Sequence, residues 1–206
     1  MRGKDVLPIH PFPARMAPEL ALRHARQLPA QSVVLDPMVG SGTTVRYAAD
    51  HGHRAIGFDV DPLSVLMSRV WTTPINVGRL RRMADEVLAT AAQQDCLADG
   101  QLTDVATEEF VEYWFAPQQR HDLEQIAGVL REIRGSIGDA LRIAFSRIII
   151  TKDRGASLAR DVSHSRPHRV ADSSDYDVRR GFCNAVDQLA NRLERLAGPR
   201  FSVHYV

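Results

Sequence analysis

The sequence predicts an α/β fold built on a parallel sheet. A short apolar run, residues 32–35 (SVVL), ends at Asp36 and leads through a glycine-rich turn into a helix. A second run, residues 54–58 (RAIGF), ends at Asp59 and is followed at once by another helix. Strand, turn, helix, strand, acid, helix is the order of a βαβ unit, whose strands lie parallel.

Taken in order, residues 9–18 hold three prolines besides Pro8 and should form an extended arm, since proline fixes φ and disfavours helix before it. Residues 18–28 (PELALRHARQL) then read as a helix with proline in its first turn. The run at 32–35 is apolar throughout, as suits a strand buried on both faces. The next helix covers about residues 43–51 and stops at Gly52. Asp61–Pro62 supplies an N-cap and a first-turn proline for PLSVLMSRVW, so Asp61 reads as a cap rather than a ligand. Residues 77–150 form a mostly helical insert, punctuated at Ala116–Pro117 and Gly135, with Ile126, Leu130, Ile133, Ile137, Leu141 and Phe145 at helical spacing. Residues 151–177 are polar and without apolar periodicity. A last amphipathic helix follows at about 182–196, with Phe182, Val186, Leu189, Leu193 and Leu196 on one face. Residues 201–206 (FSVHYV) alternate as a third strand does. Four segments result: arm and βαβ unit (1–76), helical insert (77–150), basic loop (151–180), and helix with third strand (181–206).

The 206 residues can bury a core, and 44% hydrophobic with 25% charged residues is the balance of a soluble globular protein. A formal net charge of +1 means that any nucleic-acid surface is a local patch. Cys96 and Cys183 stand apart from each other and from histidine clusters, which argues against a disulfide framework and for a reducing cytoplasm. The sequence shows no signal-peptide run, and nothing approaches the ~20 apolar residues of a membrane span.

The segment LDPMVGSGTT, residues 35–44, carries the sharpest signal. Gly40 and Gly42 let the backbone turn sharply and come close to a ligand, and a helix N-terminus follows with unpaired N–H donors. A phosphate-binding P-loop needs a lysine where Thr43 and Thr44 stand. A dinucleotide fingerprint needs a third glycine where Val45 stands. Asp59 lies where nucleotide folds place a ribose-binding acid.

The string resembles the DPFxGSGTT motif of DNA amino-methyltransferases, with Met38 in place of the usual phenylalanine. FDVDPLSVLMSR resembles that family's GxDxxPxxxxxA stretch, and IHPFPARMAPELA the arm that precedes its glycine loop. The resemblance implies a partial Rossmann-like methyltransferase fold, half of a parallel sheet in the order third, second, first strand, plus the helical insert. It implies S-adenosylmethionine as cofactor, contacted by Phe12, Pro13, Ala14, Asp36, Pro37, Gly40, Ser41, Gly42, Thr43 and Asp59.

Residues 152–169 (KDRGASLARDVSHSRPHR) combine arginines with hydroxyl groups, the donors that phosphate contacts use. They resemble a GASLARDVSHSRPH segment of some DNA methyltransferases. DNA contact is expected from Lys152, Arg154, Arg160, His164, Ser165, Arg166, His168 and Arg169. His164 and His168 have helical spacing for a metal pair, but Pro167 between them spoils it, so no metal site is expected.

No catalytic residue is identified. The family resembled grips its target amine with a (D/N/S)PP(Y/F) tetrapeptide, and these residues contain no Pro-Pro dipeptide. Carbon-5 cytosine methylation would need a nucleophilic cysteine, whereas Cys96 and Cys183 read as structural. The expectation is therefore the front half of a split enzyme or a truncated copy, inactive alone. It would be completed along the open edge of the strand at 33–35 by a second polypeptide carrying the catalytic motif, or by a homodimer. A non-catalytic cofactor- or DNA-binding protein and an RNA amino-methyltransferase are the alternatives.

Overall fold

The computed structural model describes residues 9–10, 23–24, 26–93, 105–149, 154–160, 168–195 and 203–205. The chain is α/β and mostly helical, and its packing divides it into two units. One is Met1–Val77 with Leu189–Val206, the other Gly78–Gln188.

The first unit is built on a three-stranded parallel sheet of β1 (Val33–Asp36), β2 (Arg54–Gly57) and β5 (Val203–Tyr205), in the order β1-β2-β5. By position along the chain this is first, second, third, the order that the resemblance implies. β1 starts one residue later than expected because Ser32 belongs to a turn, where its hydroxyl donates to the Pro29 carbonyl at 2.7 Å. β1 also takes in Asp36, paired with Gly57. The helix expected over residues 18–28 does not reach Leu28. Arg23 and His24 are helical, and the chain then turns, with the Gln27 N–H donating to the His24 carbonyl. Pro29 keeps Leu28 itself out of the helix, since a residue before proline is steered out of the α region.

Helix α1 (Thr43–Asp50) covers one face of the sheet. Its Val45 and Ala48 join Val39 and Ala55 in a buried cluster against which Val34 packs. Each fully buried valine of this kind contributes on the order of 1.5–3 kcal/mol. The opposite face of β1 departs from expectation. Val33 is 57% and Leu35 59% exposed, so the strand is covered on one side by the described residues and not on both. Among the described strands it is also the sheet's edge. Helix α2 (Pro62–Thr72) is capped by Asp61, whose carboxylate accepts from the Leu63 N–H at 2.9 Å and from the Ser64 hydroxyl at 3.2 Å. Asp61 is thus a cap, as its position before Pro62 indicated.

The second unit contains α3 (Val77–Ala91), α4 (Val105–Trp114), α5 (Pro117–Glu132) and α6 (Gly135–Ser146). Breaks fall at Pro117 and Gly135, where the sequence placed them. Ile126, Leu130 and Leu141 are buried, while Ile133, Ile137 and Phe145 are half-buried. α7 (Val178–Arg195) begins four residues before the expected start and runs across the boundary between the units. The reason is Asp177, whose carboxylate accepts from the Arg180 N–H at 2.9 Å and caps the first turn. From this helix Arg179 reaches Asp122 at 3.2 Å and Gln125, and Phe182 packs edge-on against Phe145.

The polar stretch is not a simple loop. Residues 155–159 (GASLA) are buried, with Ala156, Ser157, Leu158 and Ala159 no more than 2% exposed. Their N–H groups are used: Ala156 donates to Ile148, Ser157 to Ile149, and Leu158 to Trp114. Small side chains at Gly155, Ala156, Ser157 and Ala159 let this buried backbone pack closely. β3 (Ala159–Arg160) then pairs antiparallel with β4 (His168–Arg169).

Asp177→Ala should remove the α7 cap and lower unfolding stability by about 1 kcal/mol. The expected readout is a lower urea midpoint with an unchanged slope.

Candidate functional site

The carboxyl ends of β1 and β2 lie side by side, and each delivers an acid. In open parallel sheets ligands bind outside these strand ends. Asp36 closes β1 and is half-buried, with Oδ1 accepting from the Met38 N–H at 3.1 Å. The Phe58 N–H donates to the Asp36 carbonyl at 2.9 Å, and the Val39 N–H to the Phe58 carbonyl at 2.8 Å. These bonds carry the sheet ladder one step past the strands and fix where the glycine loop starts.

Asp59 then ties the two loops together. Its Oδ2 accepts from the Gly40 N–H at 2.8 Å and its Oδ1 from the Asp61 N–H at 2.9 Å. A carboxylate offers about four acceptor positions, so about two remain for a ligand's hydroxyls. Gly40 and Gly42 hold φ of 50° and 87°, left-handed values that glycine adopts without strain. Gly42 has a second reason to lack a side chain. A Cβ there would stand 2.8 Å from the Ser68 hydroxyl and 2.9 Å from Ser68 Cα. Its bareness thus serves the packing of α2 as well as the turn.

Ser41 and Thr43 are buried, with their hydroxyls 3.4 Å apart, while Pro37 is exposed and Met38 is 82% exposed. α1 starts at Gly42 with no side-chain cap and no acid in its first turn, which suits a negative group at its N-terminus. Asp36, Gly40, Ser41, Gly42, Thr43 and Asp59 are therefore within one connected stretch of structure. Phe12, Pro13 and Ala14 lie outside the described residues, although Ile9 and His10, just before them, are buried.

Ser68 is a residue that sequence reasoning misses. It is fully buried on α2, and its hydroxyl donates to the Gly40 carbonyl at 3.2 Å. The available signal is Ser64, Ser68 and Thr72 at four-residue spacing along one side of an apolar helix. Buried hydroxyls need partners.

The basic residues are less concentrated than their spacing suggests. Arg154 pairs with Asp175. Arg169 lies 3.5 Å from Asp172, donates to the Ala171 carbonyl, and sits 5.0 Å over the Tyr113 ring. Exposed pairs of this sort are worth roughly 0–1 kcal/mol, so a phosphate could compete for either arginine. His168 is exposed and Arg160 stands in β3. Lys152, His164, Ser165 and Arg166 lie outside the described residues.

Burial pushes the Cys183 thiol up, with Asp85, Asp187 and Asp177 adding to the effect. This opposes the thiolate that a nucleophile requires. Among the described residues no group of three or more His, Cys, Asp or Glu is arranged to hold a metal ion. No helix among them is long and apolar enough to cross a membrane.

Paired acids and a glycine turn thus stand at the carboxyl ends of adjacent parallel strands in an α/β unit, where open sheets of this kind bind ligands. Sequence comparison gives the particular relatives. The chain is similar to the Type II methyltransferase M.MvaI of Kocuria varians, 27% identical over 148 residues, 68% of this chain and 33% of that protein. It is also similar to the Type II methyltransferase M.MjaII of Methanocaldococcus jannaschii, 28% identical over 88 residues, 42% of this chain and 17% of that protein. The matched residues thus span a third or less of these relatives. No protein-family profile and no solved structure matches the chain.

Gly42→Ala should cost more than about 1 kcal/mol, because it adds strain at positive φ and a clash with α2. A lower melting temperature is the expected outcome.

Proposed function

We propose that these residues form the S-adenosylmethionine-binding part of a DNA methyltransferase acting on an exocyclic amino group of cytosine or adenine. The observation that carries this reading is the Gly40–Asp59 connection, which unites the acid and glycine loop of one strand with the acid of the next. The similarity to two Type II methyltransferases supports it.

The donor set suits the cofactor. Asp36 offers a carboxylate to its cationic methionine end, and the α1 N-terminus offers N–H groups to its carboxylate. Asp59 keeps acceptor positions for two ribose hydroxyls. Held by Asp36, the α1 N-terminus and Asp59, bound S-adenosylmethionine would supply an electrophilic methyl group for the target amine. The chain's residues orient the cofactor for in-line attack, and such positioning supplies much of the rate in two-reactant chemistry.

Gripping the amine falls to a catalytic motif that this reading places on a second polypeptide. The open edge of β1, with exposed Val33 and Leu35, offers a place for that part to dock. The β3–β4 segment serves DNA, with Arg160, Arg166 and Arg169 contacting phosphates. Methyl transfer by these residues alone is expected to be absent.

Calorimetry should show weak S-adenosylmethionine binding that Asp59→Ala abolishes. A wild-type chain that ignores the cofactor in millimolar excess contradicts the reading. Replacing Arg160, Arg166 and Arg169 by glutamine should weaken binding to DNA of every sequence. It should also flatten the salt dependence by about one unit of slope for each phosphate that is no longer neutralised. Unchanged affinity and slope would remove this segment from the interface.

A further inference from the structure

We infer that Ser68 is a positioning residue for the cofactor loop, acting as a latch on the Gly40 peptide. The inference rests on the reading of that loop as a cofactor site, and it adds a residue that contacts no ligand itself.

Gly40 is gripped at both ends of its backbone. Its N–H donates to Asp59 Oδ2 at 2.8 Å, and its carbonyl accepts from the Ser68 hydroxyl at 3.2 Å. Asp59 precedes the Asp61 cap of α2, and Ser68 lies in the middle of α2, so both grips are delivered by one helix and its entry. A third contact adds shape. Ser68 Cα and Cβ approach Gly42 so closely that an added Cβ would sit 2.9 and 3.1 Å from them. The loop is therefore pressed on α2 at Gly42 and hydrogen-bonded to it at Gly40.

Several features make this more than a satisfied hydroxyl. A buried serine in a helix can return its O–H to a carbonyl one turn back, as Thr72 does to Ser68 at 2.8 Å. Ser68 also reaches across to a residue 28 positions away. That residue lies in the loop, at a left-handed φ of 50° that glycine adopts without strain, so the bond selects one of the several backbone conformations open to it. In the stretch that resembles GxDxxPxxxxxA, Ser68 occupies the last position. An alanine there would keep the contact with Gly42 but lose the bond to Gly40. The serine thus adds a directional restraint where small size alone would satisfy packing.

Ligand-binding loops gain affinity when they are held beforehand in the bound form, since less ordering remains to be done on binding. Asp59 then has two tasks. One oxygen holds Gly40, and its remaining acceptor positions meet the ribose, so engagement at the ribose end also steadies the loop at the methionine end.

The test is Ser68→Ala, which keeps the packing and favours helix. Amide exchange in the cofactor-free chain should accelerate about three- to ten-fold at residues 38–43, the loss of one neutral hydrogen bond. Exchange in the rest of α2 and the melting temperature should stay as in wild type. S-adenosylmethionine affinity should fall by a similar factor. Unchanged exchange at residues 38–43 overturns the latch, as does a uniform acceleration across α1, β1 and α2 with a lowered melting temperature, which marks a structural role only. If the loop loosens locally but the wild-type chain binds no cofactor, the latch stands and the cofactor reading fails.

Discussion

The bond from the Gly40 N–H to the Asp59 carboxylate joins two loops that the chain makes 19 residues apart. β1 and β2 are fixed side by side by their parallel register, with Asp36 opposite Gly57. Register alone leaves the residues beyond the strands undetermined. The ladder continues through Val39 and Phe58, and Asp59 then turns back to hold the Gly40 peptide within the glycine turn. With that peptide held, the uncapped N-terminus of α1 at Gly42 ends the loop that Asp36 begins and that Asp59 grips at Gly40. Removing the carboxylate would leave a half-buried N–H without its acceptor, at a cost of about 1–3 kcal/mol, and would uncouple the loops.

The sheet that carries this site is covered unevenly by the described residues. Val34 faces the cluster under α1, while Val33 and Leu35 point the other way and are more than half exposed. Apolar residues on both faces suit a strand in the middle of a parallel sheet, yet β1 stands at the edge. The mismatch between what the strand is made of and where it sits is the physical basis for proposing that another protein segment packs there. It also separates the tasks. On the proposed reading the described site holds and orients the cofactor, and the grip on an amine lies elsewhere.

Much of this is legible in the residues. Two apolar runs each ending in aspartate, with Gly40 and Gly42 after the first, suffice for the parallel pair and the turn. Asp61–Pro62 marks the start of α2, and Pro117 and Gly135 mark the helical breaks, because these residues act locally through caps and fixed dihedrals. What is hard to read depends on distant partners. The GASLA residues look like a polar loop until their N–H groups are seen to end on Ile148, Ile149 and Trp114. The arginines beside them look available until Asp172 and Asp175 are placed next to Arg169 and Arg154. Asp177 is a local signal that is easily passed over, and α7 starts just after it. Ser68 is hidden because its partner lies in another loop.

The central claim is that the loop from Asp36 to Thr43 and the Asp59 carboxylate form one cofactor site. Backbone amide NMR during titration with S-adenosylmethionine tests it most directly. The account predicts saturable shifts concentrated at residues 36–43 and 59–61, with Gly40 and Ser41 among the largest. Shifts confined to the second unit, or none at saturating cofactor, would contradict it.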